Sequence, residues 1–422
     1  MNHFDLHNGR LHCEDVALDA IAEAVGTPVF VYSAATLRHH YAVYRKAFAW
    51  GGGLIAYAVK ANGNLAVLNV LAHEGAGADT VSEGEIRRAL AAGIPPTRII
   101  FSGMGKTDRE LRFALTLPEM QINVESRVEL ERLSQLAAET GTLPKVVFRV
   151  NPAVGAGAHA KITTGQAHDK FGVARDEVVE LYRQAAGDPH LNPVGIGCHI
   201  GSQIADLAPF ETAWRIMRAL VESLRAEGLA VGRLDLGGGL AAPYFNSPPP
   251  PPPARLGDLA REILGDLDLE ISVEPGRAIA ANAGVLLSRV VHVNQRASGP
   301  RFLVLDAAMN DLIRPTLYDA FHEICPVESR PGEPVPYDVV GPVCESGDTF
   351  ARDRKLPPLE AGDLVAFLSA GAYGASMSSE YNSRPLAPEV LVDGRRWAIV
   401  RPRPTIEMML DREVVPDWLR TD

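Results

Sequence analysis

Residues 54–62 read Leu54-Ile55-Ala56-Tyr57-Ala58-Val59-Lys60-Ala61-Asn62, an apolar run with a lysine near its end. Glycines lie on both sides of the run. A short apolar run bounded by turn-forming residues is typical of a buried β-strand. The sequence therefore predicts a strand that carries Lys60 at its C-terminal end. A lysine in such a place most often extends its ammonium into solvent, because charged side chains are rarely fully buried. In a partly desolvated pocket, however, a lysine amine has a lowered pKa and can form a Schiff base with an aldehyde.

The chain after this strand repeats a strand-then-helix order. Strand-like runs follow at 78–82, 98–102, 120–124, 146–150, 194–199, 232–236 and 270–274. Amphipathic segments with apolar residues at helical spacing lie between them, for example at 65–74, 83–92, 126–140 and 209–227. Eight strand-and-helix units in about 250 residues predict a (β/α)8 TIM-like barrel of the α/β class.

The pattern changes after residue 283, where strands follow one another without long helices. These strands are predicted at 285–293, 302–305, 337–340, 364–368, 389–392 and 397–401. They indicate a C-terminal antiparallel β-sandwich or β-barrel domain, to which the N-terminal runs 4–6 and 28–32 add strands. We therefore expect a barrel domain at 34–281 and a discontinuous β domain at 1–33 and 282–422. Six consecutive prolines at 248–253 predict a stiff surface loop.

Composition and charge narrow the class of protein. The chain has 422 residues, 46% hydrophobic and 22% charged, which suits two globular domains. A formal net charge of −11 leaves no basic excess to neutralise phosphates and argues against a nucleic-acid partner. Neither a long apolar run nor a signal-peptide pattern occurs, so we expect a cytoplasmic protein without a membrane span. The four cysteines lack metal-ligand spacing, so we expect thiols and no metal site.

Reactive and glycine-rich residues collect directly after the predicted barrel strands, where barrel enzymes hold their active sites. Glycines 237–239 follow the seventh strand and let backbone N–H groups approach a phosphate. Glu274 ends the eighth strand, and a carboxylate beside a pyridine nitrogen favours the protonated ring of an electron sink. His199 ends the sixth strand and could stack on a flat ring. Each feature alone is more often structural, but together with Lys60 they indicate a site for pyridoxal 5'-phosphate (PLP).

The segments that carry these residues resemble the barrel motifs of fold-type III PLP-dependent decarboxylases, which are related to alanine racemase. They are 57–62 (YAVKAN), 199–203 (HIGSQ), 237–239 (GGG) and 274–277 (EPGR). Later segments narrow the resemblance to the diaminopimelate decarboxylase family, namely 312–318 (LIRPTLY), 341–348 (GPVCESGD), 371–374 (GAYG) and 377–382 (MSSEYN). The resemblance spans roughly residues 25 to 405. The glycine- and alanine-rich stretch 153–159 departs from the family pattern. This departure lies outside the motifs, so it affects the expected shape of a loop more than the expected chemistry.

The resemblance implies PLP as the cofactor and a role for each motif residue. Lys60 is implied as the Schiff-base lysine, and Cys344 as the acid that protonates the carbanion after carbon dioxide leaves. The unperturbed thiol pKa of about 8.5 can be tuned toward neutrality for such a role. Cys344 is implied to come from the partner subunit of a homodimer with shared active sites; without the resemblance, it would be interpreted as structural. The implied cofactor-binding residues are Lys60, His199, Ser202, Gly239, Glu274, Gly276, Arg277 and Tyr373.

The resemblance also implies how a small amino-acid substrate is recognised. The distal end of meso-2,6-diaminopimelate is a complete amino-acid head, so it needs a carboxylate clamp, to which arginine is suited, and an acidic partner. Ornithine and lysine offer only an ammonium, whose burial opposite two arginines would cost several kcal/mol. The predicted reaction is PLP-dependent decarboxylation of meso-2,6-diaminopimelate to L-lysine and carbon dioxide, the last step of lysine biosynthesis. The implied substrate-binding residues are Arg277, Arg314, Tyr318, Glu345 and Tyr373.

Other functions stay open on the sequence alone. A related decarboxylase acting on another basic amino acid or on carboxynorspermidine would keep the barrel motifs but need not carry Arg314 with Cys344 and Glu345. A catalytically silent PLP-binding homologue would be favoured by loss of Lys60 or Cys344, and both residues are present. An alanine-racemase-like isomerase would need a tyrosine base on the second face of the cofactor, and no motif for it is evident.

Overall fold

The chain divides into two compact units in the computed structural model, which describes residues 2–155, 170–246 and 248–420. The barrel unit is Thr36–Asn282, and the β unit combines Met1–Ala35 with Ala283–Asp422. Residues 156–159 of the glycine- and alanine-rich stretch lie outside the described residues. No helix in the described ranges is long and apolar enough to cross a membrane.

The N-terminal part of the β unit forms four strands and one helix. They are β1 (Phe4–His7), β2 (Arg10–Cys13), β3 (Val16–Ala17), α1 (Leu18–Val25) and β4 (Val29–Ser33).

The barrel unit alternates strands and helices, as the sequence predicts. Its strands are β5 (Ala56–Ala58), β6 (Gly77–Thr80), β7 (Ile99–Phe101), β8 (Gln121–Val124), β9 (Lys145–Asn151), β10 (Val173–Ala174), β11 (Asn192–Gly197), β12 (Arg233–Asp235) and β13 (Glu270–Ser272). Its helices are α2 (Ala34–Ala47), α3 (Leu65–His73), α4 (Glu83–Ala91), α5 (Asp108–Leu115), α6 (Arg127–Thr140), α7 (Val178–Ala186), α8 (Ala208–Ala226), α9 (Pro253–Leu264) and α10 (Arg277–Ala280).

Eight parallel strands run in the order β13-β12-β11-β9-β8-β7-β6-β5, with the short β10 beside β9. A parallel bridge between Ile55 and Val273 joins the first and last of them. The N–H of Ala56 donates to Val273 O at 2.9 Å, so the sheet closes into a barrel. Closure requires Gly53, because a Cβ there would lie 1.1 Å from the carbonyl oxygen of Ile271. The predicted barrel is confirmed.

The turns that lead into three of the barrel helices carry capping residues. Ser82, Thr107 and Ser126 cap α4, α5 and α6, each accepting a hydrogen bond from the N–H of the glutamate three residues later. At α5 the Glu110 carboxylate also accepts from the Thr107 N–H, which completes a capping box. Each cap thus sets the first residue of its helix, and with it the length of the turn between that helix and the preceding strand.

The C-terminal part of the β unit contains mostly strands. They are β14 (Gly284–Gln295), β15 (Arg301–Leu305), β16 (Ile324–Pro326), β17 (Val335–Val340), β18 (Thr349–Leu356), β19 (Leu364–Phe367), β20 (Glu389–Asp393) and β21 (Arg396–Arg401). Two short helices, α11 (Arg314–Tyr318) and α12 (Ile406–Leu410), accompany them.

Nine strands of the β unit form one sheet, with the main order β18-β17-β15-β14-β4-β20-β21 and with β19 bonded to β14 and β16. Most neighbouring pairs are antiparallel, as expected, but β15 with β17 and β4 with β20 are parallel. The predicted run 28–32 joins this sheet as β4, whereas the run 4–6 belongs to a separate three-stranded sheet, β1-β2-β3. Apolar residues of both sheets, including Leu11, Val31 and Leu287, share one buried core.

Candidate active site

A cavity of about 280 Å³ lies at the C-terminal ends of the barrel strands. This volume is near the lower end of the range for small-molecule sites. Parallel strands of a barrel end at the same rim, so one cavity gathers residues from distant chain positions. The titratable residues that line it lie on strands or directly after them; they are Lys60, Asp79, Arg149, Cys198, His199, Asp235 and Glu274.

Lys60 lies just beyond β5, in a single turn of 3-10 helix at Val59–Ala61, so the strand is shorter than the sequence predicts. Its Nζ donates a hydrogen bond to Asp79 Oδ2 at 2.7 Å. The side chain of Lys60 is 38% exposed, whereas that of Asp79 is 1% exposed. Burial raises the pKa of Asp79, but the charge and hydrogen bond of Lys60 outweigh burial, and the pKa is lowered overall. The ammonium is therefore held by a buried counter-ion in the wall of the cavity.

His199 contributes a neutral ring to the cavity. Burial, followed by the positive charges of Arg149 and Lys60, lowers the pKa of His199 to about 3. The N–H of Gly238 donates to Nδ1 of His199 at 3.1 Å, so the ring proton is on Nε2. Nδ1 also lies 3.9 Å from Glu274 Oε2, but a neutral ring forms no ion pair with a carboxyl group. The backbone of the glycine turn thus holds a flat, uncharged ring.

Glu274 and Asp235 are buried carboxyl groups that follow β13 and end β12, with 8% and 2% of their surface exposed. Burial is the main cause that raises the pKa of Glu274, and the negative charge of Asp235 raises it further. Burial also raises the pKa of Asp235, although its Oδ1 accepts a hydrogen bond from the N–H of Gly237 at 2.9 Å. Glu274 therefore favours a protonated carboxyl group.

The turn 237–239 tolerates only glycine. A Cβ on any of the three would lie 2.2 to 2.5 Å from a backbone carbonyl oxygen, and φ is +67° at Gly237 and +110° at Gly239. Two of the three N–H groups donate within the protein, to Asp235 Oδ1 and to His199 Nδ1. Within the part of the chain that the structure describes, the N–H of Gly239 has no such acceptor. It is the donor of this turn that can bind an anion.

Arg277 begins α10 and is 8% exposed. Its Nε and Nη2 lie 3.3 and 3.2 Å from Ser202 Oγ, and its Nη1 donates to the hydroxyl of Tyr244 at 3.4 Å. Gly276 comes directly before it, and a Cβ there would lie 3.0 Å from the Cβ of Ala58. The segment with Gly276 and Arg277 therefore runs beside the turn that carries the cavity lysine.

The β unit holds the other predicted site residues. Arg314 begins α11 and is 5% exposed, while Tyr318 ends the helix and is half-buried. Between them, the hydroxyl of Thr316 donates to Gly347 O at 2.7 Å. This hydrogen bond joins α11 to the loop 341–348.

The loop 341–348 presents Cys344 and Glu345 at an exposed surface of the β unit. The N–H of Cys344 donates to Asn382 Oδ1 at 3.1 Å. A hydrogen bond with Glu345 raises the pKa of Tyr381. The loop is thus joined to the motif at 377–382. Asp348, which is 3% exposed, closes the base of the loop by accepting a hydrogen bond from the N–H of Val343 at 2.7 Å.

Tyr373, predicted from the motif 371–374, is half-buried and has a left-handed φ of +56°. Gly374 follows it, and a Cβ there would lie 2.5 Å from the carbonyl oxygen of Ala370. The motif therefore forms a tight turn between β19 and β20.

Among the charged residues that line the cavity, Asp79, Arg149 and Asp235 were given no site role from the sequence. Each lies on a strand, and a charged residue inside a buried strand is the signal that could have identified it. Arg149 Nη1 lies 3.1 Å from Glu125 Oε1, so a second buried carboxylate orients it.

Residues 34–281 match the pyridoxal-binding domain of the pyridoxal-dependent decarboxylases. A diaminopimelate decarboxylase from Zymomonas mobilis is 46% identical over 420 residues, covering 99% of both chains. One from Pseudomonas aeruginosa is 48% identical over 407 residues, covering 96% of this chain and 97% of its own. The chain belongs to the diaminopimelate decarboxylase family. The crystal structure of a diaminopimelate decarboxylase from Helicobacter pylori complexed with L-lysine superposes with a TM-score of 0.90 at 40% identity, covering 94% of this chain and 98% of that one.

Membership of the diaminopimelate decarboxylase family confirms the predicted family, the enzyme class of carboxy-lyase and PLP as the cofactor. The barrel cavity fits PLP on its own chemistry. It combines a lysine amine, a neutral flat ring at His199 and a carboxyl group at Glu274, and the glycine turn 237–239 donates a hydrogen bond to His199 beside it.

Proposed function

We propose that this chain decarboxylates meso-2,6-diaminopimelate to L-lysine and carbon dioxide, with PLP held in the barrel cavity. The observation that carries this proposal is the meeting of Lys60, His199 and Glu274 in one cavity beside the glycine turn. PLP, when bound, supplies an electron-withdrawing ring that takes up the electron pair left by the departing carboxylate.

Lys60 is proposed as the covalent attachment point for the aldehyde of PLP. Its amine lies in a cavity and is held by Asp79, which restricts where it can point. We assign His199 to contact with the flat face of the ring, since an uncharged imidazole makes such a contact without desolvating a charge. Glu274 is assigned to the ring nitrogen of PLP, where its carboxylate would favour the protonated ring.

The phosphate of PLP is assigned to Ser202, Gly239, Gly276 and Arg277 in the barrel unit and to Tyr373 in the β unit. The N–H of Gly239 and the guanidinium of Arg277 supply donors of the kind that bind phosphate. Ser202 Oγ lies within 3.3 Å of that guanidinium, which favours a shared anion site.

Substrate recognition is assigned to Arg277, Arg314, Tyr318, Glu345 and Tyr373. A substrate with a distal carboxylate needs a guanidinium clamp, and a distal ammonium needs a carboxylate. The hydrogen bond between Thr316 and Gly347 supports a joint role, because it connects the helix with Arg314 to the loop with Glu345.

Cys344 is proposed as the acid that returns a proton to the carbon that has lost carbon dioxide. It would act in the partner's active site, so that two copies of the chain form a homodimer with shared sites. The exposure of Cys344 and Glu345 on the β unit is consistent with that arrangement.

We assign two domains to the chain, one at residues 34–281 and one that combines residues 1–33 with 282–422, and the proposed roles are divided between them. The first range is also the one that matches the pyridoxal-binding domain.

A cytoplasmic location is proposed because an exposed thiol at Cys344 stays reduced there.

Incubation of the purified protein and PLP with meso-diaminopimelate, L-ornithine or L-lysine tests the function. Release of carbon dioxide from meso-diaminopimelate alone is expected. Turnover of ornithine without turnover of diaminopimelate would assign the chain to a related decarboxylase, and no turnover of any substrate would favour a silent PLP-binding homologue.

A further inference from the structure

A buried hydrogen-bonded chain lies behind Arg314 in the β unit. Arg314 Nη1 is 2.8 Å from His322 Nε2, and His322 Nδ1 is 2.9 Å from the carbonyl oxygen of Leu368. Arg314 is 5% exposed and His322 is 3% exposed, so water competes little for these bonds.

Only one proton arrangement satisfies this chain. The carbonyl of Leu368 can only accept, so Nδ1 of His322 must carry a proton. The guanidinium of Arg314 can only donate, so Nε2 must be bare. His322 is therefore neutral, and it holds the guanidinium without neutralising its positive charge, unlike a carboxylate.

The local fold builds this contact. The chain turns back after α11, where Asp319 is left-handed with φ of +51° and the N–H of Ala320 donates to Arg314 O at 3.3 Å. Farther on, the N–H of Leu368 donates to Glu323 O at 2.8 Å, which extends the pairing of β16 with β19 up to the histidine. The imidazole is thus fixed on the sheet side before it meets the guanidinium.

The groups around the histidine are also fixed. Arg354 Nη1 donates to the carbonyl oxygen of His322 at 3.0 Å and lies 3.7 Å from Glu323 Oε2. The guanidinium of Arg354 also stacks over the ring of Phe321 at 4.3 Å. The carboxylate of Glu323 therefore lies beside Arg354, while the two ring nitrogens of His322 face Arg314 and the carbonyl of Leu368.

We infer that His322 is a positioning residue that orients Arg314 toward the distal carboxylate of the substrate. This inference rests on the proposed function. Arginine loses much rotamer freedom when it binds a carboxylate with two parallel hydrogen bonds, and a fixed guanidinium plane reduces that cost. A neutral acceptor fixes the plane without adding a negative charge that would compete with the ligand.

The test compares His322→Leu, His322→Asn and His322→Gln in the PLP-loaded enzyme. Leucine removes both hydrogen bonds, and asparagine can replace Nδ1 but does not reach Arg314. Both should raise KM for meso-diaminopimelate by about 10-fold to 100-fold, the cost of losing a hydrogen bond to a charged group, while kcat changes little. Glutamine, whose amide oxygen reaches the position of Nε2, should recover most of the affinity. His292→Leu, at an exposed histidine of β14, is the matched control.

Ligand binding separates positioning from general damage. L-lysine carries the carboxylate that Arg314 would bind, whereas 1,5-diaminopentane lacks it. The leucine and asparagine variants should weaken L-lysine binding by about 10-fold or more and leave 1,5-diaminopentane binding unchanged. Equal weakening of both ligands, or an unchanged KM, would overturn the inference.

Two further outcomes are also decisive. If His322→Leu fails to fold, the comparison of asparagine with glutamine decides, and equal KM values for these two would contradict positioning. If the wild-type protein binds PLP but does not turn over meso-diaminopimelate, the proposed function fails. If the wild type is active, the KM and ligand-binding comparisons of the His322 variants decide the inference separately.

Discussion

At the residue scale, burial sets the protonation states in the barrel cavity. The same cavity lowers the pKa of His199 to about 3 and raises that of Glu274, so both side chains favour their uncharged forms. A close charge pair joins Lys60 to Asp79, whose charged atoms lie 2.7 Å apart. The cavity therefore offers a cofactor a neutral ring, a proton donor and an amine with a defined counter-ion.

The lowered pKa of His199 gives a direct pH prediction. A depressed histidine pKa means that the ring gains its second proton only below about pH 3, so it stays neutral between about pH 5 and 9. Histidine-selective nitrogen NMR of the protein without PLP should show one tautomer, with the proton on Nε2, throughout that range. The His199 signal is assigned by its loss in His199→Gln, and a titration near pH 6 to 7 would contradict the account.

At the scale of elements, the glycine turn 237–239 joins the ends of β12 and β13. We expect Gly238→Ala to weaken PLP binding by about 10-fold or more, because its Cβ would lie 2.2 Å from the carbonyl oxygen of Glu274. Gly232→Ala, before the same strand, is the control, since a Cβ there meets nothing within 4 Å. Fluorescence titration with PLP measures both affinities. Wild-type affinity in the Gly238→Ala protein would show that the turn is not needed for the cofactor.

The barrel was predictable because its short apolar strands alternate with segments whose apolar residues recur at helical spacing. All eight predicted barrel strands exist, with ends that differ by a few residues, as at β5, where Lys60 falls in the turn beyond the strand. The parallel pairing of β15 with β17 was not predictable, because alternation of apolar residues is the same in either direction. β10 was missed because its two residues are too few to show a period.

The site was predicted in outline from motifs, whereas its electrostatics required coordinates. Lys60, His199 and Glu274 do line one cavity, but the counter-ion Asp79 lies inside a predicted strand, where no motif pointed to it. The contact of His322 with Arg314 depends on a chain reversal at Asp319. No local sequence motif predicts which residue His322 meets after that reversal. The catalytic and binding roles of all these residues stay predictions.

At the scale of the whole molecule, the C-terminal segment 412–418 is a candidate for the contact between subunits. Val414 is 81% exposed and Trp418 is 85% exposed, which is unusual for large apolar side chains. The segment is joined to the loop of the proposed acid, because Arg412 pairs with Glu380 at 2.5 Å and Asn382 accepts from Cys344 N–H.

Trp418→Ser should therefore weaken the proposed homodimer by at least about 10-fold, since buried tryptophans dominate many interfaces. Sedimentation equilibrium measures the dissociation constant. Val128→Ser, at a valine that is 70% exposed on α6 of the barrel unit, serves as the control. An unchanged dissociation constant for Trp418→Ser would remove this segment from the interface.

The central claim is that one active site uses Lys60 from one chain and Cys344 from its partner. Lys60→Ala and Cys344→Ala chains, each inactive alone and carrying different affinity tags, can be co-expressed and purified through both tags. The heterodimer then contains one site with both native residues and one with neither, so about half of the wild-type activity on meso-diaminopimelate is predicted. A heterodimer no more active than its parents, or failure of the two chains to associate, would contradict the shared site.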